Sequence, residues 1–279
     1  MIESFTLRNG INVPKIIVGT NGIDYETLKS VCLSAMRTGQ TVFDTAPNYI
    51  SEKYLGKVIH ELINEYGYKR EDFFIQTKLD WNAQRDCRVF DALQTSLKTL
   101  GVEYVDSYLM HWPYPESYTE DWKTMEKFYN DGLARVIGVC NFRERHWKKL
   151  MDSSLSIIPH VSQIEIHPFR NCASLLEYCS SLGITSQAYT PLLKMQPKLR
   201  DNKTLVNIAT KYGTTVPHLV LKWHIDRGVA PVTKSTKPQR VTDNIKCLDI
   251  HLSPDDTMLI DSLDEDYKFM LESWGCPGF

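Results

Sequence analysis

A strand-length apolar run followed by a helix-length amphipathic stretch recurs eight times along this chain, and nothing else in the sequence constrains its fold so tightly. The apolar runs fall at 16–18, 41–43, 73–75, 105–110, 135–139, 161–166, 184–189 and 229–233. Helical stretches follow them at 25–38, 52–65, 86–100, 120–131, 144–151, 173–182, 203–212 (with 216–226 as a further helix) and 238–247. A helix-length crossover carries the chain back across a sheet, so strands joined this way run parallel. Eight such units in about 240 residues are the number that closes a (β/α)8 TIM barrel.

Residues 5–13, ahead of the first unit, read as a β-hairpin plugging the barrel bottom, and the Asn9-Gly10 pair suits a type I′ turn. One domain over 1–279 is expected, because no linker, low-complexity stretch or composition shift interrupts the pattern. The competing α/β architecture is a doubly wound open sheet. It wants a Gly-rich fingerprint after its first strand, and Gly19-Thr20-Asn21-Gly22 does not supply one.

Composition narrows the function classes. The net charge is −2 and no long basic block is present, so nucleic acid is not the expected partner. No run approaches 18 apolar residues, and no membrane span is expected. The seven cysteines lack CxxC spacing and are odd in number, which argues against a disulfide framework or a metal site and for a reducing compartment. The N-terminal residues show no secretory pattern, so a cytoplasmic protein is expected. Cys276-Pro277-Gly278-Phe279 has the outline of a prenylation box but lacks its aliphatic pair and a polybasic stretch, so no lipid anchor is expected. No exposed heptad or apolar stripe calls for a second copy, and a monomer is expected.

In a TIM barrel, chemistry gathers at the C-terminal ends of the strands. Asp44 closes the second run, Tyr49 lies in the loop behind it, Lys78 closes the third run and His111 the fourth. Taken singly, each has a bland explanation: a capping carboxylate, a packing tyrosine, a solvent-seeking lysine, a turn histidine. Together on adjacent strand ends they form a proton donor. A phenol with a pKa near 10 donates poorly at neutral pH. A neighbouring ammonium favours the phenolate, and a carboxylate keeps that ammonium charged and in place. The expectation is that Lys78 lowers the Tyr49 pKa.

These segments, Phe43-Asp44-Thr45-Ala46 with Tyr49, Thr77-Lys78-Leu79 and Met110-His111-Trp112-Pro113, resemble the aldo-keto reductase superfamily in its compact, microbial form, from near Gly19 to about Asn244. The resemblance implies reduction of an aldehyde or ketone by NADPH, with Tyr49 as general acid, Lys78 and Asp44 as its support and His111 orienting the carbonyl. A small-molecule carbonyl is then the partner. A histidine rather than a glutamate at 111 favours carbonyl over double-bond reduction. A cofactor-binding regulatory protein with little turnover, and a pathway-specific ketoreductase, are the alternatives.

The resemblance also assigns the cofactor contacts. Asn141 and Gln163 would face the nicotinamide carboxamide and Tyr189 would stack on its ring, with Gly19, Thr20, Asp44, Thr190 and Leu192 around them. Lys234, Ser235, Thr236, Arg240 and Asn244 would hold the adenosine 2′-phosphate and adenine; Ser235 and Thr236 precede a helix, and arginine suits phosphate. Asn21, Trp81, Trp112 and Trp274 are the expected substrate-pocket residues, with Phe279 as a further aromatic at the tail. The chain departs from the family pattern at Asn21-Gly22, Ser51 and Cys140. The stretch after Leu192 is short, which implies looser clamping of the pyrophosphate.

Overall fold

A computed structural model of the chain describes residues 3–270 together with 275 and 276. Strands β1 (Ser4–Thr6) and β2 (Asn12–Pro14) pair antiparallel as the expected hairpin. Eight parallel strands then close on themselves: β3 (Ile17–Gly19), β4 (Val42–Asp44), β5 (Phe74–Leu79), β6 (Val105–Met110), β7 (Ala134–Cys140), β8 (Val161–Glu165), β9 (Thr185–Tyr189) and β10 (Val229–Thr233). Strand β10 pairs with both β9 and β3, which completes the barrel. The helices are α1 (Tyr25–Arg37), α2 (Ser51–Tyr66), α3 (Trp81–Arg85), α4 (Val89–Leu100), α5 (Tyr118–Asn130), α6 (Glu144–Met151), α7 (Ala173–Ser181), α8 (Pro197–Arg200), α9 (Lys203–Lys211), α10 (Val216–Asp226), α11 (Pro238–Asn244) and α12 (Pro254–Asp261).

The strands are short and buried on both faces, as parallel strands sheathed by helices must be. Every residue of β5 and of β6 is buried. Outward residues pack against helix stripes such as Leu28, Val31, Cys32, Ala35 and Met36 of α1. The inward residues nearest the strand starts, among them Val42, Phe74, Val136 and Val161, form a separate apolar cluster that takes in Leu7 and Val13 of the hairpin. The hairpin thereby seals the bottom of the barrel and leaves the opposite end for chemistry.

Several local expectations are corrected. Residues 86–100 are not one helix: α3 ends at Arg85, Cys87 turns left-handed at φ 53°, and α4 starts only at Val89. The hairpin turn is not type I′, because Gly10 has a positive φ (83°) and Asn9 does not. Gly10 instead donates its N–H to Leu7 O at 2.8 Å, which makes a three-residue loop with the glycine in the left-handed place. The helix expected over 238–247 ends at Asn244 and tightens into a 3-10 turn, Ile245–Asp249. Helix α12 was not anticipated. Ser253 caps it by accepting the Asp256 N–H, and Pro254 opens it.

Candidate active site

The register of three neighbouring strands brings the four ionisable residues together. Asp44 pairs with Gln76 across β4 and β5, while Leu79 pairs with Met110 across β5 and β6 and accepts the His111 N–H at 3.0 Å. Lys78 points into the barrel and is fully buried. Its Nζ donates to both Asp44 oxygens at 2.8 Å and to Thr45 O at 2.9 Å, so all three ammonium protons have acceptors. The Tyr49 ring stands over this ammonium, with Nζ 4.9 Å from its centroid. The His111 ring meets Tyr49 edge-on, at 6.0 Å and 82°.

Electrostatics assigns protonation states. Burial works against the Lys78 charge, but Asp44, with Tyr49 and Cys140 beside it, more than offsets it and the pKa lies above the usual lysine range. Burial also raises the Tyr49 pKa; Lys78 pulls it down, as expected, but burial and the Asp44 charge outweigh that pull. The expectation of a net lowering is therefore corrected, because the phenol sits in a drier place than a strand-end loop suggests. His111 is driven well below its ordinary value by burial and then by Lys78. It is a neutral imidazole at neutral pH, and its buried Nδ1 has no hydrogen-bond partner among the described residues.

The next strand ends supply amides. Asn141 follows β7 in the left-handed region at φ 62°, a conformation asparagine tolerates. Its Nδ2 donates to His111 O at 2.9 Å and its Oδ1 accepts the Tyr189 hydroxyl at 2.8 Å, so one side chain ties the ends of β6, β7 and β9 together. Gln163 is buried beside Asp44, with Nε2 3.2 Å from Asp44 Oδ1. Tyr189 is half-buried at the close of β9. Cys140 is buried, and its enclosure pushes the thiol pKa up.

Gly19 closes β3, and a Cβ there would meet the Val232 side chain at 3.3 Å. Thr20 is fully buried and its hydroxyl donates to Asp44 O at 3.0 Å, so it sits behind Asp44 as a support. After Tyr189 the backbone is unusual: Thr190, Leu193, Lys194 and Met195 all have positive φ, between 47° and 56°. Left-handed residues with side chains are costly and gather at functional sites. This turn, bounded by the half-buried Leu192, lifts the exposed Lys194 from the rim. Lys234 also approaches, with Nζ 3.8 Å from the place a Gly22 Cβ would take, and burial followed by Lys194 lowers its pKa. Neither lysine has a carboxylate partner among the described residues. Thr236 and Arg240 are exposed, Ser235 accepts the Lys237 N–H at 3.0 Å, and Asn244 is buried with Nδ2 3.3 Å from Thr233 Oγ1.

Of the expected pocket residues, Asn21 is exposed beyond β3, and Trp81 opens α3 rather than lying in a loop. Trp81 stacks on Tyr114 at 6.4 Å and 16°, which adds Tyr114 to the aromatics around this rim. Trp112 O accepts from Gln84 Nε2 at 2.9 Å, and the tail returns to this point: a Cβ on Gly275 would lie 2.5 Å from the Trp112 ring. Trp274 and Phe279 lie outside the described residues. The tail is also held at Glu165, whose carboxylate accepts the Phe269 and Met270 N–H groups. Also missed were Gln76 and Gln187. For Gln76 the signal was present, since a glutamine two residues before Lys78 in an apolar strand shares the inward face with it.

A family model described as the Aldo/keto reductase family matches residues 15–265. Over 269 residues the chain is 35% identical to the glyoxal reductase of Bacillus subtilis, covering 95% of this chain and 94% of that one. It is 34% identical to the methylglyoxal reductase DkgA of Escherichia coli K12, covering 93% and 92%. Among solved structures, a Bombyx mori aldo-keto reductase in complex with NADP superposes with a TM-score of 0.89 at 32% identity, covering 98% of this chain and 97% of that one. Fold, strand-end constellation and these likenesses agree, and the chain belongs to the aldo/keto reductase family.

Proposed function

We propose that this protein reduces a small aldehyde or ketone to an alcohol with NADPH, using Tyr49 as the general acid. The observation that carries the reading is the Lys78 ammonium, held by both Asp44 oxygens directly beneath the Tyr49 ring, with the neutral His111 at that ring's edge.

The residues fit a dinucleotide. Lys194 and Lys234 converge on one rim with no carboxylate among the described residues to neutralise them, which suits a polyanion. Arg240 stands exposed on α11, where a guanidinium can meet a 2′-phosphate. Asn141, Gln163 and Tyr189 would hold the nicotinamide end. The bound cofactor supplies hydride to the carbonyl carbon.

The chain's own groups handle the oxygen. The phenol is protonated at neutral pH, which is the form a reduction needs. Its proton passes to the carbonyl oxygen as negative charge develops there, and the phenolate left behind faces Lys78. His111, neutral, donates one hydrogen bond and orients the carbonyl. The aromatic wall of Trp81, Tyr114 and Trp112 suits a short carbonyl compound with a modest apolar part. Relatives named as glyoxal and methylglyoxal reductases make α-dicarbonyls the first compounds to try.

The test is to titrate the purified protein with NADPH and NADH, then follow oxidation of the reduced cofactor with methylglyoxal, glyoxal and simple ketones. Turnover with NADPH supports the proposal. Tight NADPH binding with no turnover across the panel would point to a regulatory cofactor-binding protein, and no binding would overturn the reading.

A further inference from the structure

Three glutamines share the barrel interior with Asp44. Gln76 (β5), Gln163 (β8) and Gln187 (β9) are each no more than 3% exposed. Strands β5 and β9 are not neighbours in the barrel, so a bond between Gln76 and Gln187 spans its interior. Gln76 Nε2 donates to Asp44 Oδ1 at 2.7 Å and to Gln187 Oε1 at 2.9 Å, and Gln187 Nε2 returns a bond to Gln76 Oε1 at 3.1 Å. Gln163 Nε2 donates to Asp44 Oδ1 at 3.2 Å and to Gln187 Oε1 at 2.9 Å.

The directions of these bonds are dictated by one charge. A carboxylate only accepts, so both Gln76 and Gln163 must turn an NH2 group toward Asp44. With Gln76 so turned, Gln187 has to offer Oε1 to its Nε2 and Nε2 to its Oε1. Gln187 Oε1 then also receives Gln163 Nε2. Flipping Gln163 would set its oxygen against the Asp44 carboxylate and the Gln187 carbonyl at once. Both Gln163 N–H groups are thus spent inward, and Oε1 is the polar atom it has left. In a buried network each member enforces the others, because an unpaired amide there is costly.

We propose that Gln76 and Gln187 are positioning residues, which read the Asp44–Lys78 pair and lock the Gln163 amide with its carbonyl presented as an acceptor to the cofactor's carboxamide NH2. This rests on the reading that the site takes a nicotinamide dinucleotide. It couples the proton-donor half of the site to the hydride half through protein amides alone.

The experiment compares Gln187→Leu, Gln76→Leu and Gln187→Glu with the unaltered protein. Two ligands are used: NADPH, and adenosine 2′,5′-bisphosphate, which lacks the nicotinamide. In the leucine variants NADPH affinity should fall roughly three- to tenfold, the size of one lost hydrogen bond, with the bisphosphate unchanged. Gln187→Glu adds a signature that a structural role would not give. A protonated carboxyl supplies the two functions the Gln187 amide uses here, an oxygen that accepts from Gln76 and Gln163 and a donor to Gln76 Oε1, so NADPH affinity should approach that of the unaltered protein at acid pH. Ionisation sets a second oxygen against Gln76 Oε1 and disturbs the network, and the affinity should fall. This variant also carries the test if a leucine variant does not fold. Equal losses for both ligands, unchanged NADPH affinity in all variants, or a pH-independent Gln187→Glu would overturn the proposal. If the unaltered protein binds the bisphosphate but not NADPH, or neither, it is the underlying reading that fails.

Discussion

Lys78 Nζ lies 2.8 Å from each carboxylate oxygen of Asp44, and neither side chain has meaningful contact with water. A buried ion pair adds little net stability while intact, but removing one partner strands the other. Asp44→Ala should cost on the order of 3–5 kcal/mol of folding stability. Urea unfolding of the variant measures this, and a loss under 1 kcal/mol would mean that Lys78 finds another acceptor.

The Tyr49 phenol supports opposite pH profiles in the two directions. Burial places its pKa above the ordinary phenol value, so the proton is present throughout the neutral range. Reduction needs that proton; its kcat should stay level through neutral pH and fall only on the alkaline side. Alcohol oxidation needs the phenolate and should rise with pH. A reduction rate that falls from pH 6 to 8 would assign the proton to a different group.

Glu52 offers a separate pH test. It is buried behind Lys78, accepts from Thr77 Oγ1 at 3.2 Å, and desolvation raises its pKa to about 7 from 4.5. Between those values the folded state holds a proton that the unfolded state has released. Stability contributed by this group is therefore present at acid pH and lost as pH rises through about 7. Glu52→Gln removes that dependence. The variant should gain on the unaltered protein by on the order of 2–3 kcal/mol from pH 4.5 to 8. A stability difference that is flat with pH would contradict the assignment.

Arg240 is the proposed reader of the 2′-phosphate. Arg240→Ala should weaken NADPH by on the order of 1.5–3 kcal/mol and leave NADH nearly unchanged. Calorimetric titration of both cofactors decides it, and equal losses would place Arg240 elsewhere.

The barrel and Asp44, Tyr49, Lys78 and His111 were legible because both are carried by local pattern. Period-two and period-3.6 patterning sets strand and helix, and the strand ends name the residues that meet. What escaped depends on contacts distant in sequence or on backbone form. Nothing near Gln76 reveals Gln187, 111 residues on and across the barrel. The left-handed run through Lys194 contains no glycine to announce it. The net pKa of Tyr49 depends on enclosure by several elements, whereas the Lys78 pull alone could be read from order along the chain. Helix α12 did carry a signal, Ser253-Pro254-Asp255-Asp256, with a cap, a proline and acidic residues in the first turn.

The most direct test of the central claim is Tyr49→Phe, assayed for NADPH binding and for methylglyoxal reduction in the same preparation. The substitution deletes one hydroxyl and keeps the ring over Lys78. NADPH affinity should remain within about twofold of the unaltered protein while kcat falls roughly 10²- to 10⁴-fold, the usual weight of a general acid. Undiminished reduction by the variant would remove Tyr49 as the proton donor.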